Sequence, residues 1–172
     1  FSLASGPVGV MAATNEAVSA AQDPMMLYVF GAVIALCLVS FRSLRATLVV
    51  VIPLYVVSVL AQALMTYLQI GLTVSTLPVI ALGVGIGVDY GIYILSTKSL
   101  MLKKGATVQE AYFAALKERG SAVLFTGITL AIGVSTWVFS SLKFQMDMGI
   151  LLTFMFQLHI QIVLKVALVF LM

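Results

Sequence analysis

The chain has 172 residues, 62% of them hydrophobic and only 9% charged, with nine Lys and Arg against six Asp and Glu. Soluble domains carry about 25% charged residues, so a water-soluble globular domain is excluded and a bilayer is the expected solvent. No nucleic-acid partner is expected, and a single cysteine, Cys37, cannot form an intramolecular disulfide.

No basic, cleavable leader precedes the first apolar run, and the chain reads as a piece of a longer polypeptide. Residues 1–23 are mild in hydropathy, with Pro7 suited to a first helical turn and an Ala- and Val-rich stretch after it. This stretch is expected to be a helix leading from an aqueous domain into the membrane. Residues 24–172 are expected to form the transmembrane domain. Crossing about 30 Å of hydrocarbon takes about 20 mostly apolar helical residues. Five segments meet that requirement, at about 24–41, 47–68, 76–96, 121–140 and 149–171. The expected fold is therefore all-α, a five-helix membrane bundle.

Between the third and fourth spans, Thr107 and Glu110 have capping-box spacing. Val108, Ala111, Tyr112, Ala115 and Leu116 then make one apolar stripe. A short helix over about 107–118, lying on the membrane surface and broken at Gly120, is expected; a solvated connector helix is the alternative. Arg42 and Arg45 lie in one loop and Lys98, Lys103, Lys104, Lys117 and Arg119 in another, two connections apart, while the remaining two connections contain only Lys143. Positive loops face the cytoplasm, which places the N-terminus outside and the C-terminus inside.

Asp89 stands in Leu82-Gly83-Val84-Gly85-Ile86-Gly87-Val88-Asp89-Tyr90-Gly91, about two turns from the cytoplasmic end of its span. An Asp at bilayer depth costs on the order of 2.5–3.5 kcal/mol on insertion scales and is a functional candidate by default. Loss of hydration penalises the charged form of a carboxylate, so such a group can take up and release a proton as its surroundings change. Arg42, Arg45 and Lys98 belong to helix ends, which leaves Lys165 as the other deep cation. A purely structural hydrogen bond to a neighbouring helix is the alternative role.

Gly83, Gly87 and Gly91 repeat every fourth residue, a ridge that admits another helix, and Gly85 shares the face of Asp89. On the fourth span Thr126, Thr129, Gly133 and Thr136 share one face. They are expected to face Asp89 with hydroxyls that both donate and accept; back-bonding to their own helix is the alternative. His159 has no metal-ligand spacing around it, so no metal site and no cofactor is expected. No paired carboxylates or Ser-His-Asp set suggests an enzyme.

Gly85-Ile86-Gly87-Val88-Asp89-Tyr90 resembles the Gly-x-x-x-Asp-Tyr signature of the RND superfamily, above all its MMPL-type branch. Ser75-Thr76-Leu77-Pro78, Gly120-Ser121-Ala122-Val123-Leu124-Phe125-Thr126-Gly127 and Asp147-Met148-Gly149-Ile150-Leu151-Leu152 are similar to the same branch. The likeness extends to about residue 156. It implies the second half of a twelve-helix transporter of a bacterial inner membrane, with residues 1–23 as the tail of a periplasmic porter domain. It implies export of lipids or other hydrophobic substrates driven by protons as the coupling ion, relayed by Asp89 and Tyr90. Implied partners are membrane lipids, the hydrophobic substrate, the N-terminal half of the same transporter, and either further copies or periplasmic and outer-membrane proteins. A sterol-sensing or Patched-like lipid-binding module without active transport is the alternative within the superfamily. After Phe156 the chain departs from the pattern, since Gln157, His159, Gln161 and Lys165 stud the final helix.

Overall fold

The computed structural model describes residues 6–71 and 76–169; the side chains of Leu77 and of residues 163–169 are outside the description. The described residues are almost wholly helical. In chain order they form α1 (Pro7–Phe41), α2 (Leu44–Tyr67), α3 (Leu77–Lys103), α4 (Val108–Ala115), a π-helical turn (Leu116–Gly120), α5 (Ser121–Ser135), a 3-10 turn (Thr136–Phe139) and α6 (Lys143–Val169). Among the described residues four helical stretches are long and apolar enough to cross a membrane: α1, α2, α3 and the continuous run Val108–Phe139. α6, at 27 residues, is also long enough to do so, although Lys143 and Asp147 stand in its first turns. The protein is an all-α membrane protein.

Several boundaries differ from expectation for identifiable reasons. The leading helix and first span are one helix of 35 residues, which runs through Pro24. A proline removes one ladder hydrogen bond, and the flanking turns keep theirs. α3 continues to Lys103 and ends where Gly105 takes a left-handed φ of 88°, a conformation glycine adopts without steric cost. Asp89 therefore lies near the middle of a 27-residue helix and not close to its end. α6 starts at Lys143, six residues early, with Leu142 N donating to Ser140 Oγ (3.1 Å) just before it.

The connector also departs from its expected form. Its capping box is present: Glu110 N donates to Thr107 Oγ1 (3.3 Å), and Thr107 N donates to Glu110 Oε2 (2.9 Å). Its apolar stripe, however, is spent on protein. Ala111, Tyr112 and Ala115 are buried, and α4 packs against α3. Gly120 does not break the helix: it is helical and buried, and the π-helical turn carries α4 into α5 without a gap. Glycine costs about 1 kcal/mol in a helix, too little to interrupt a run that is hydrogen-bonded on both sides.

α6 is the hub and packs against α2, α3 and α5, while α1 covers α2 and α3. Val33 and Cys37 of α1, Val50 and Leu54 of α2, and Ile80, Val84 and Val88 of α3 form one buried cluster. Val57, Ala61 and Met65 of α2, Ala131 of α5, and Leu151, Leu152, Met155 and Phe156 of α6 form another. Large apolar residues such as Tyr28, Val39, Phe125 and Ile132 face outward, as lipid-facing positions do.

Candidate functional site

α3 presents three faces to three environments. Ile80, Val84 and Val88 face α1 and α2. Gly83, Gly87 and Tyr90 face α6 and α5. Leu82, Gly85, Asp89 and Tyr93 form an exposed stripe that none of the described residues covers. Asp89 and Tyr90 are neighbours in sequence, so the helical rotation of 100° sends them to different faces. The carboxylate faces out of this bundle, and the phenol, 2% exposed, is enclosed within it.

The glycines divide in the same way. A Cβ on Gly83 would collide with the Met155 side chain, and one on Gly87 would fall 2.5 Å from His159 Nε2. One on Gly91 would fall 3.0 Å from Val50 Cγ1. These three mark close approaches of α6 and α2 to α3. Gly85 and Gly133 meet nothing within 4 Å and lie on exposed faces of α3 and α5, so neither serves packing inside this chain.

The threonine stripe is exposed along its length: Thr126, Thr129, Gly133 and Thr136 all face outward. Thr136 Oγ1 donates to Gly133 O (2.7 Å), the back-bonding alternative. The structure gives Asp89 no hydrogen bond to any of the threonines. It does bring Thr126 together with Tyr90 and Tyr93 on one cavity of about 300 Å³, closed by Arg119, Ala122 and Val123.

Two residues gain importance from the packing. Gly127 was not among the expected packing glycines, yet a Cβ there would strike Ile160 and lie 3.4 Å from Tyr90 Oη. It belongs to the buried row Val123, Gly127 and Ala131, a four-residue period that was open to reading. His159 is fully buried, with Nδ1 2.9 Å from Met155 O. A carbonyl only accepts, so Nδ1 carries the proton and Nε2 is left as an unpartnered acceptor against Gly87. Its position follows from the row Leu152, Met155, Phe156 and His159. Gln157 and Gln161 stand on the exposed face, and the Lys165 side chain lies outside the described residues. Among the described residues no three His, Cys, Asp or Glu side chains gather as a metal site.

Long apolar helices, glycine-mediated helix contacts and a carboxylate at mid-helix define an all-α membrane protein. The comparison with known families makes this specific. The chain belongs to the MMPL family, whose model matches residues 4–170, which places it among RND-like membrane transporters and lipid-related modules. It is also similar to a membrane protein of Methanocaldococcus jannaschii, MJ1562, with 25% identity over 117 residues. That match covers 68% of this chain and 30% of the relative, so the chain spans under a third of that protein's length. No solved structure matches the chain.

Proposed function

We propose that this segment is the membrane half of a proton-driven exporter of lipids or other hydrophobic molecules, in which Asp89 is the proton-carrying group and Tyr90 its enclosed neighbour. One observation carries the proposal. The carboxylate stands at mid-helix on a membrane-length helix, on a stripe of small and aromatic residues that none of the described residues covers. A carboxylate facing hydrocarbon has no counter-charge and no water. A stripe of that kind is useful when a second helix bundle closes over it, which on this reading is the transporter's other half.

On this reading, protonation of Asp89 removes a charge from the junction between two bundles, and its release restores it. Differential burial of one charge biases two helix packings, as a ligand biases two states. The membrane potential adds about 2.3 kcal/mol per charge per 100 mV. The basic loops then face the cytoplasm and residues before α1 lie on the far side. The substrate is recognised outside this segment.

The test is Asp89→Asn in the protein reconstituted in proteoliposomes under an imposed proton gradient. The amide keeps the shape and cannot titrate at these pH values. Loss of gradient-dependent lipid efflux, with the fold intact by circular dichroism, is the expected outcome. Efflux at the original rate refutes the relay. Lipid binding that is indifferent to the gradient in both proteins points instead to a sensing module without pumping.

A further inference from the structure

The cavity between α3 and the start of α5 has a composition that the proton relay does not use. Its walls come from two stripes. Tyr90 and Tyr93 are three residues apart on α3, and Arg119, Ala122, Val123 and Thr126 follow the i, i+3, i+4, i+7 spacing of one helix face. The second stripe depends on the π-helical turn at Leu116–Gly120. Such a turn holds one residue more than an α-turn, so it offsets the face of α4 from that of α5 by roughly 100°. As a result α4 packs its apolar row on α3 while the helix that follows turns Arg119 and Thr126 toward the two tyrosines.

Three features of this cavity point to an occupant. Arg119 is exposed and makes no salt bridge; among the described residues the ion pair present is Lys143–Asp147. Tyr90, 2% exposed, lines the cavity, and its hydroxyl is buried without a hydrogen-bond partner. The remaining lining is Ala122, Val123, Thr126 and the two phenol rings. An unpaired cation, the hydroxyls of Tyr93 and Thr126 and apolar walls suit an anion attached to an aliphatic chain. At about 300 Å³ the cavity is at the small end of ligand sites, large enough for a headgroup and not for whole acyl chains.

We propose that this cavity binds a phosphate group, that of an anionic membrane lipid, with Arg119 as the charge partner and Thr126 and Tyr93 as hydroxyl donors. A guanidinium meets phosphate through two parallel N–H bonds, and the lipid tails would leave along the exposed face of α5, past Phe125 and Ile128. The site lies beside Tyr90, so a bound lipid would line one wall of the same helix junction. The proposal does not rest on proton coupling, and its test reads binding alone.

The purified protein is placed in phosphatidylcholine nanodiscs doped with phosphatidylglycerol, released, and examined by native mass spectrometry for retained lipid. One retained phosphatidylglycerol is expected. Arg119→Gln should weaken retention by about tenfold or more, the loss of one charge-assisted contact, with Arg119→Lys intermediate because the point charge stays and the fork is lost. Thr126→Val should weaken it by a smaller factor, and Lys104→Gln, at the end of α3 and outside the cavity, should leave it unchanged. Competition by inorganic phosphate at comparable concentration would keep the site and make a soluble phosphate its ligand. Equal retention by the protein and Arg119→Gln, or an equal loss in Lys104→Gln, would overturn the proposal by showing only diffuse attraction.

Discussion

Replacing Gly87 by alanine tests the contact that sets the register of α3 against α6. A Cβ built at Gly87 lies 2.5, 2.6 and 2.8 Å from Nε2, Cδ2 and Cε1 of His159. Three atoms of one ring are struck at once, so no small rotation of the imidazole clears the clash. The ring is also fully buried and tied to Met155 O at 2.9 Å. Overpacking of this kind costs about 1–3 kcal/mol. Alanine regains about 0.5–1 kcal/mol of helix propensity over glycine, so the net effect is destabilisation of about 1–2 kcal/mol. In a His159→Ala background the ring is gone and only the propensity gain remains, so the same Gly87→Ala change should become stabilising. This reversal of sign between backgrounds is the diagnostic result, as in any double-mutant cycle. It can be read by reversible unfolding in mixed micelles, followed by the fluorescence of the single tryptophan, Trp137. Equal destabilisation by Gly87→Ala in both backgrounds would show that His159 does not sit on Gly87 and that the α3–α6 register is wrong.

Further outcomes follow from the same coordinates. Gly149→Ala should be destabilising by about 1–3 kcal/mol, because its Cβ would fall 2.9 Å from Trp137 Cβ, 3.0 Å from Val134 O and 3.1 Å from Val138 N, two of which are backbone. Gly83→Ala should cost less in the same unfolding titration, since it meets only the end of the flexible Met155 side chain, and Gly85→Ala, with nothing within 4 Å, should be neutral or slightly stabilising. The Glu110 carboxyl is held below its ordinary value by the hydrogen bonds it accepts from the backbone N–H and the hydroxyl of Thr107. A depressed value in the folded state means that the cap contributes above the ordinary Glu range and is lost as the pH falls through the lowered value. Protection of the α4 amides against exchange, taken relative to the intrinsic rate at each pH, should therefore fall on acidification, and Glu110→Gln should remove that pH dependence of the protection. Lys143→Ala should destabilise the fold by about 1–3 kcal/mol in the unfolding titration, because it leaves Asp147, whose side chain is only 12% exposed, without its ion-pair partner.

Four of the five expected spans reappear as helices long and apolar enough to cross a membrane, and they were legible in the sequence because bilayer thickness fixes their length. Their ends were not. Pro24 and Gly120 carry the residue-level signals of a start and a stop, yet each costs a helix less than the neighbouring turns return, and both lie inside continuous helix. The polar stretch after Ser96 has no hydropathy to mark it, but Lys103 still belongs to α3, and the stop is set by the left-handed Gly105. The apolar row of the connector was equally visible. Its destination was not, since an amphipathic helix buries its stripe against whichever apolar surface it meets first, and here that surface is α3.

The candidate site was legible by residue type and less so by direction. The fourfold period of Gly83, Gly87 and Gly91 falls where α6 and α2 approach α3, whereas Gly85, off that period and on the Asp89 face, meets nothing within 4 Å. The direction of the threonine row was not legible. Its spacing defines a face, and the packing of Gly127 and Ala131 on α6 decides that the face points outward. Both uncovered stripes, Gly85–Asp89 on α3 and Thr126–Thr136 on α5, flank the same cavity, at Tyr93 and Thr126. On the proposed transporter reading, an outward carboxylate and a row of threonine and glycine positions are costly or wasted against hydrocarbon and useful against a second protein surface, so the outer face of α3 and α5 would be one half of an interface, with the enclosed Tyr90 linking it to the interior of this bundle.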